Sequence, residues 1–102
     1  MMYILNTTFL IANEVIDSAL NFIETSFLGA ACGAAGFSGG RIARVLNSAE
    51  DGAESFAVQF ETEDIAKAEE WLAVEAQSFF EELRMRFGER VLFFSTWLEV
   101  VK

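Results

Sequence analysis

Residues 91–101, VLFFSTWLEVV, form an apolar run near the end of the chain. Side chains of a β-strand alternate between two faces, and both faces of this run are largely apolar: Leu92, Phe94, Thr96, Leu98 and Val100 on one, and Val91, Phe93, Ser95, Trp97, Glu99 and Val101 on the other. We therefore predict a final strand that is covered on two sides. The helices of the chain suffice for one side, so we expect a second copy to cover the other.

Three more strands and two helices precede this run. Alternating or apolar segments predict strands at residues 2–11, 41–46 and 54–60, with a turn signal at Asp51-Gly52 between the last two. Apolar residues at helical spacing follow Asn13 and Thr62, which we expect to be N-caps. Gly88 is expected to end the second helix. The order is therefore β-α-β-β-α-β.

Pairing and handedness rules fold this order as a ferredoxin-like α+β sandwich. The expected sheet is antiparallel, with strand order 4-1-3-2 and both helices on one face. A chain of 102 residues is typical of one domain, so we predict a single domain over residues 1–102. Two such sheets stacked face to face would make a dimeric α+β barrel.

The alternation also predicts which side chains face the helices. We place Leu5, Phe9, Ala43, Val45, Phe56, Val58, Phe60, Leu92, Phe94 and Leu98 on the helix side. The opposite face would then be the dimer interface, formed chiefly by Ile4, Ile42, Phe93 and Trp97. An apolar face of this extent is typical of an interface between proteins.

Composition excludes several function classes. The net charge of −9 argues against nucleic acids and anionic membranes, because both are bound through Lys and Arg. The apolar start lacks the basic flank of a signal peptide and is too short to span a bilayer, which predicts a cytoplasmic protein. The single Cys32 fits a reducing compartment. Without His, the chain lacks the most frequent general base and metal ligand, so we expect no metal and no cofactor.

Four polar side chains are expected together on the face away from the helices: Asn6, Thr8, Arg44 and Gln59. One interpretation is a ligand site in which Arg44 holds a small anion or amide. The other is a hydrogen-bond network that fixes the register of the dimer, since buried polar groups must be paired. Both interpretations stay open at this point, and we favour the network.

Three segments resemble a family of small uncharacterised bacterial proteins, DUF4286: MYILNTT, RIARVL with ESFAVQFET, and RFGERVLFFSTWLEVV. The resemblance implies the dimeric α+β barrel superfamily and no known activity. It includes Asn6, Thr8, Arg44, Gln59, Gly88 and Thr96. Relatives often have a His-Ile-Pro step where this chain has Phe27-Leu28-Gly29, and a Pro near the position of Gln77. A role for that His therefore cannot apply here.

These observations favour a homodimeric, non-catalytic module that binds a small molecule or a partner. The alternative is a cofactor-independent enzyme, similar to a monooxygenase or an isomerase, acting on a small apolar or aromatic substrate in a Phe-walled pocket between sheet and helices. The superfamily's haem-degrading and cofactor-free monooxygenases place an Asn and a Trp over the substrate, which Asn6 and Trp71 resemble faintly. We expect Trp71 to be a core residue instead, and we lean away from an enzyme.

Overall fold

A computed structural model describes residues 1–34, 36–47 and 51–102; the side chain of Ala34 is also left undescribed. The strands are β1 (Tyr3–Ala12), β2 (Ser38–Arg44), β3 (Ala53–Thr62) and β4 (Val91–Glu99). The helices are α1 (Ile16–Ile23), α2 (Gly29–Ala34), α3 (Ile65–Ala73) and α4 (Gln77–Phe87). Residues 48–50 of the predicted β2–β3 turn lie outside the described residues.

The four strands form one antiparallel sheet in the order β2-β3-β1-β4. Counted from the other edge this is 4-1-3-2, so the predicted ferredoxin-like topology is confirmed. The central strand β1 pairs with β3 along its whole length, from Tyr3 opposite Thr62 to Ala12 opposite Ala53. The layer of buried side chains lies between this sheet and the helices.

The first helical segment is less regular than its apolar spacing predicts. It starts with a 3₁₀ turn at Asn13–Val15, and no side chain caps this turn or α1, so the predicted Asn13 cap is wrong. A π turn at Glu24–Leu28 then separates α1 from α2, and the Gly29 N–H bonds to the Glu24 carbonyl. The Thr25 hydroxyl donates to the Asn21 carbonyl oxygen at 3.0 Å, a bond that competes with the helical ladder.

The second helical segment begins two residues later than predicted. The carboxylate of Asp64, not the hydroxyl of Thr62, accepts the N–H of Lys67 at 3.0 Å and caps α3. The Thr62 hydroxyl instead accepts the Asp64 N–H at 3.1 Å. Gly88 follows α4 with φ 57°, a backbone angle that a residue with a β-carbon rarely adopts.

The predicted single helix is broken between α3 and α4. The Ala76 N–H bonds to the Trp71 carbonyl, and the Gln77 amide donates to the Leu72 carbonyl oxygen at 3.0 Å. In a regular helix Trp71 and Phe79 would lie about 80° apart around the axis. With the break, both rings are buried over the sheet, beside Phe60 and Phe9. Packing therefore overrides the local helical pattern here.

Aromatic rings fill the space between sheet and helices. Phe27 stacks on Phe79 with ring centroids 4.7 Å apart, and Phe80 stacks on Phe93 at 4.5 Å. Trp71 is buried against Phe27 and the sheet, as predicted for a core residue. These side chains occupy the region in which the alternative hypothesis places a substrate pocket.

Two strands turn opposite faces to those predicted. In β4, Phe93 lies opposite Phe9 and Trp97 opposite Leu5, so both point toward the helices, and Leu92, Phe94 and Leu98 point away. The predicted faces of β4 are wrong because its two faces are almost equally apolar. Only the register with β1 selects between them.

In β2, Ile42 lies opposite the buried Val58 and packs on the core. Ala43 lies opposite Ala57 on the other face, so the predicted faces of this strand are also wrong. The strand begins at Ser38, three residues earlier than predicted, and its register shifts between Ser38 and Arg41. The extra residue of such a β-bulge exchanges the two sheet faces for all residues that follow it in the strand.

Candidate interface on the open face of the sheet

The sheet face turned away from the helices, which we call the open face, carries side chains from all four strands. They are Ile4, Asn6, Thr8, Leu10, Arg41, Ala43, Ser55, Ala57, Gln59, Glu61, Leu92, Phe94, Thr96 and Leu98. Phe94 is 62% exposed and Leu92 is 54% exposed. Along β1 and β4 these side chains form an apolar area that no other part of the described chain covers.

A polar row crosses the open face from edge to edge. Arg41 lies opposite Gln59, Gln59 opposite Asn6, and Asn6 opposite Thr96. The side chains form a chain of hydrogen bonds: Arg41 Nε donates to Gln59 Oε1 at 3.2 Å, Gln59 Nε2 to Asn6 Oδ1 at 3.1 Å, and Asn6 Nδ2 to Thr8 Oγ1 at 3.3 Å. The row therefore links three strands through side chains as well as through the backbone.

These hydrogen bonds join three of the four predicted ligand-binding residues: Asn6, Thr8 and Gln59. Arg44, the fourth, is not among them. It lies opposite Phe56 on the helix side, with its guanidinium 5.4 Å from the ring centroid and 3.3 Å from the Glu54 carboxylate. The bulge in β2 places Arg41 in the row instead. The predicted alternation along residues 41–46 puts Arg41 on the helix side, together with Ala43 and Val45.

Of the four predicted interface residues, Ile4 lies on the open face, opposite Leu98. Ile42, Phe93 and Trp97 pack on the helix side, so they do not share the open face with Ile4 as predicted. The large side chains on the open face that the sequence did not assign to the interface are Leu92, Phe94 and Leu98. Their exposure depends on strand register, and no local sequence signal distinguishes them from their neighbours.

Arg44 lines an open groove of about 560 Å³ with Asn13, Asp51 and Glu54. The two carboxylates offset the positive charge that an anion would need there. Among the residues that the structure describes, no three His, Cys, Asp or Glu side chains converge to hold a metal ion. Within the same residues, no helix has the length and apolar character needed to cross a membrane.

A family model described as a domain of unknown function, DUF4286, matches residues 2–101. The chain belongs to the DUF4286 family. No curated protein matches it. The family description states no activity, so the function of this DUF4286 member has to be argued from its own geometry.

Solved structures similar to this DUF4286 protein share its fold. A dimeric ferredoxin-like protein from an uncultured marine organism is 17% identical, with a TM-score of 0.70 over 99% of this chain and 96% of the other. The de novo designed protein Foldit4 is 8% identical, with a TM-score of 0.51 over 98% and 99% of the two chains. At these identities the likeness supports the ferredoxin-like topology alone.

Proposed function

We propose that this DUF4286 protein is a non-catalytic interaction module that works as a homodimer, with the open faces of two sheets packed on each other. The observation that carries this proposal is the exposed apolar surface of β1 and β4, which includes Leu92, Phe94 and Leu98. Uncovered apolar patches of this kind are typical of protein interfaces.

The size of the open face suits a stable dimer. Strands lie about 4.8 Å apart and extend about 3.3 Å per residue, so the sheet measures about 19 by 30 Å, and less along the seven-residue β2. Stable interfaces bury about 800 Å² of accessible surface per partner, and the accessible surface of a corrugated face exceeds its projected area. Full contact between two such faces therefore approaches the standard interface size.

Charge favours a second copy as the occupant. The chain carries a net charge of −9, yet the open face of the four strands carries one basic and one acidic side chain, Arg41 and Glu61. Two copies can therefore bring these faces together while their remaining acidic groups stay outside the contact. The similar protein from the uncultured marine organism is described as dimeric, which supports the same assembly.

The polar row favours a hydrogen-bond network over a ligand site. Asn6, Thr8 and Gln59 already bond to one another within one copy, so they need no ligand to satisfy them. The aromatic packing between sheet and helices occupies space that the alternative enzyme would need for its substrate, which favours the non-catalytic module. We therefore expect the module to act through its open face, with a second copy as the partner.

The test is the mass of the protein in solution. At micromolar concentration we expect light scattering to give twice the chain mass of 11.3 kDa. Phe94→Glu puts an unpaired charge into the proposed contact, which costs several kcal/mol when buried, so its dimer dissociation constant should rise at least about 100-fold.

Met85→Glu is the matched control, because Met85 is 85% exposed on α4 and away from the open face. It should remain dimeric, and both variants should keep the circular dichroism spectrum of the original protein. A well-folded single subunit for the unchanged chain would overturn the proposal, as would a Phe94→Glu variant that associates normally.

A further inference from the structure

Arg41 and Glu61 are the charged side chains that the four strands place on the open face. Arg41 stands on β2 opposite Gln59, and Glu61 stands on β3 two residues beyond Gln59. Neither forms an ion pair among the residues that the structure describes, where the ion pairs are Arg44–Glu54 and Arg86–Glu82. Within the described part of the chain, the open face thus holds one cation and one anion on neighbouring strands that form no ion pair.

Both groups are held in place by their surroundings. The Nε–H of Arg41 bonds to Gln59, which itself bonds to Asn6, so one guanidinium nitrogen is anchored; among the described residues its terminal N–H groups form no side-chain hydrogen bond. The carboxylate of Glu61 lies where a β-carbon on Gly39 would stand. Gly39 has φ 61° within the β2 irregularity, and its missing side chain leaves room for this carboxylate.

Covering the open face would remove water from both charges. An unpaired buried charge costs several kcal/mol, whereas a close Arg–carboxylate pair recovers much of that cost. In a twofold dimer, if residue i of one copy contacts residue j of the other, then j also contacts i. One Arg and one Glu per copy are therefore sufficient to form two identical pairs across a symmetric interface.

We infer that Arg41 of each copy forms an ion pair with the partner's Glu61, and that these two reciprocal pairs set the register of the dimer. This inference rests on the proposed homodimer and adds the residues that decide how two copies fit. It also assigns a role to the β2 bulge, which brings Arg41 onto the open face and makes room beside Gly39 for Glu61.

A charge-swap experiment tests the inference. Arg41→Glu alone sets two carboxylates against each other in both pairs, and Glu61→Arg alone sets two guanidinium groups against each other. Close charge pairs at interfaces contribute about tenfold or more each, so each variant should dissociate at least about 100-fold more readily. An equal mixture of the two variants restores an opposite charge at both contacts, and it should form heterodimers as readily as the original protein forms homodimers.

Native mass spectrometry separates the three dimers, because the two variants differ in mass. Lys67→Glu and Glu69→Arg are the matched controls: both sites are exposed on α3, and the substitutions change the net charge by the same amounts. Each control variant should dimerise alone, and their mixture should give homodimers and heterodimers without exclusion of either homodimer.

The outcomes distinguish this inference from the proposed function. If the unchanged chain is a monomer, the proposed function fails. If it is a dimer and either swapped variant dimerises normally, or the mixture does not recover, the homodimer stands and the Arg41–Glu61 pairing is wrong. Recovery in the mixture alone supports the pairing, because a pair within one chain cannot be restored by a second chain.

Two substitutions that remove a charge without reversing it test the inference if a charge-swapped variant does not fold. Arg41→Gln and Glu61→Gln each leave one buried charge without a partner, so each should weaken the dimer about tenfold or more. In an equal mixture of the two variants, each heterodimer keeps one Arg41–Glu61 pair and has one neutral contact, so heterodimers should form more readily than either homodimer. Heterodimers that are no more stable than the homodimers would overturn the inference.

Discussion

Phe27 lies at the centre of the aromatic core, in the π turn between α1 and α2. Its ring stacks on Phe79 and packs against Phe80 and Phe60, at centroid distances of 4.7, 5.5 and 5.3 Å. A single side chain therefore joins the first helical segment to the second and to the sheet. The π turn sets the position from which the Phe27 ring enters the core.

Removing this ring should destabilise the fold. We expect Phe27→Ala to lower the free energy of unfolding by about 3–5 kcal/mol, through lost burial and the cavity left behind. Met85→Ala, which removes an exposed side chain from α4, should change it by less than about 0.5 kcal/mol. Urea unfolding at one fixed protein concentration measures both, and similar values for the two variants would contradict the assigned role of Phe27.

The sequence predicts where the helical segments lie but not the residues at which they begin. The start of α3 depends on Asp64, whose carboxylate accepts the Lys67 N–H, while Thr62 bonds to the Asp64 N–H just before it. Thr62 and Asp64 are both favourable N-cap residues, so the local sequence does not choose between them. The chain geometry at the end of β3 makes the choice, because Thr62 still pairs with Tyr3 as part of the sheet.

The N-cap assignment predicts a difference between neighbouring carboxylates. Asp64→Ala should destabilise the protein by about 1 kcal/mol, since it leaves an N–H group of the first turn without its acceptor. Glu63→Ala removes the same charge from an exposed site next to the helix and should cost much less. Thermal unfolding followed by circular dichroism compares the two, and equal losses would indicate an effect of charge instead of capping.

The strand elements show a different limit. Strand existence, order and pairing followed from apolar alternation and from the β-α-β-β-α-β sequence of elements. The faces of β2 and β4 did not follow, so Phe93, Trp97, Ile42 and Arg44 were assigned to the wrong side. A shift of one residue exchanges the two faces of a strand, and that shift is invisible when both faces are apolar.

At the scale of the whole molecule, charge and apolar surface are separated. The acidic side chains lie mainly on helices and loops, and the open face carries one charge of each sign. Two copies that meet through their open faces should therefore repel each other only through groups at the periphery. Salt screens such exposed charges over about 10 Å at 0.1 M ionic strength, and it screens buried pairs much less.

Moderate salt should consequently tighten the dimer. We expect its dissociation constant to fall as NaCl rises from about 20 to about 300 mM, because screening removes repulsion between two chains that each carry −9. Analytical ultracentrifugation measures this. We compare this with a variant that neutralises three exposed glutamates in or beside α3: Glu63→Gln, Glu69→Gln and Glu75→Gln. Its dissociation constant should depend less on salt. A constant that rises with salt would mean that attraction between exposed charges dominates.

The sequence by itself determined the order of the elements, the sheet topology and the presence of more apolar surface than one layer of helices covers. These properties depend on local spacing and on turn chemistry, as at Gly88. Only the tertiary structure decided which apolar side chains the helices cover and which residues share a face with Asn6 and Gln59. That choice depends on strand register and on the bulge at the start of β2, where hydrogen bonds between distant segments select one of two nearly equal alternations.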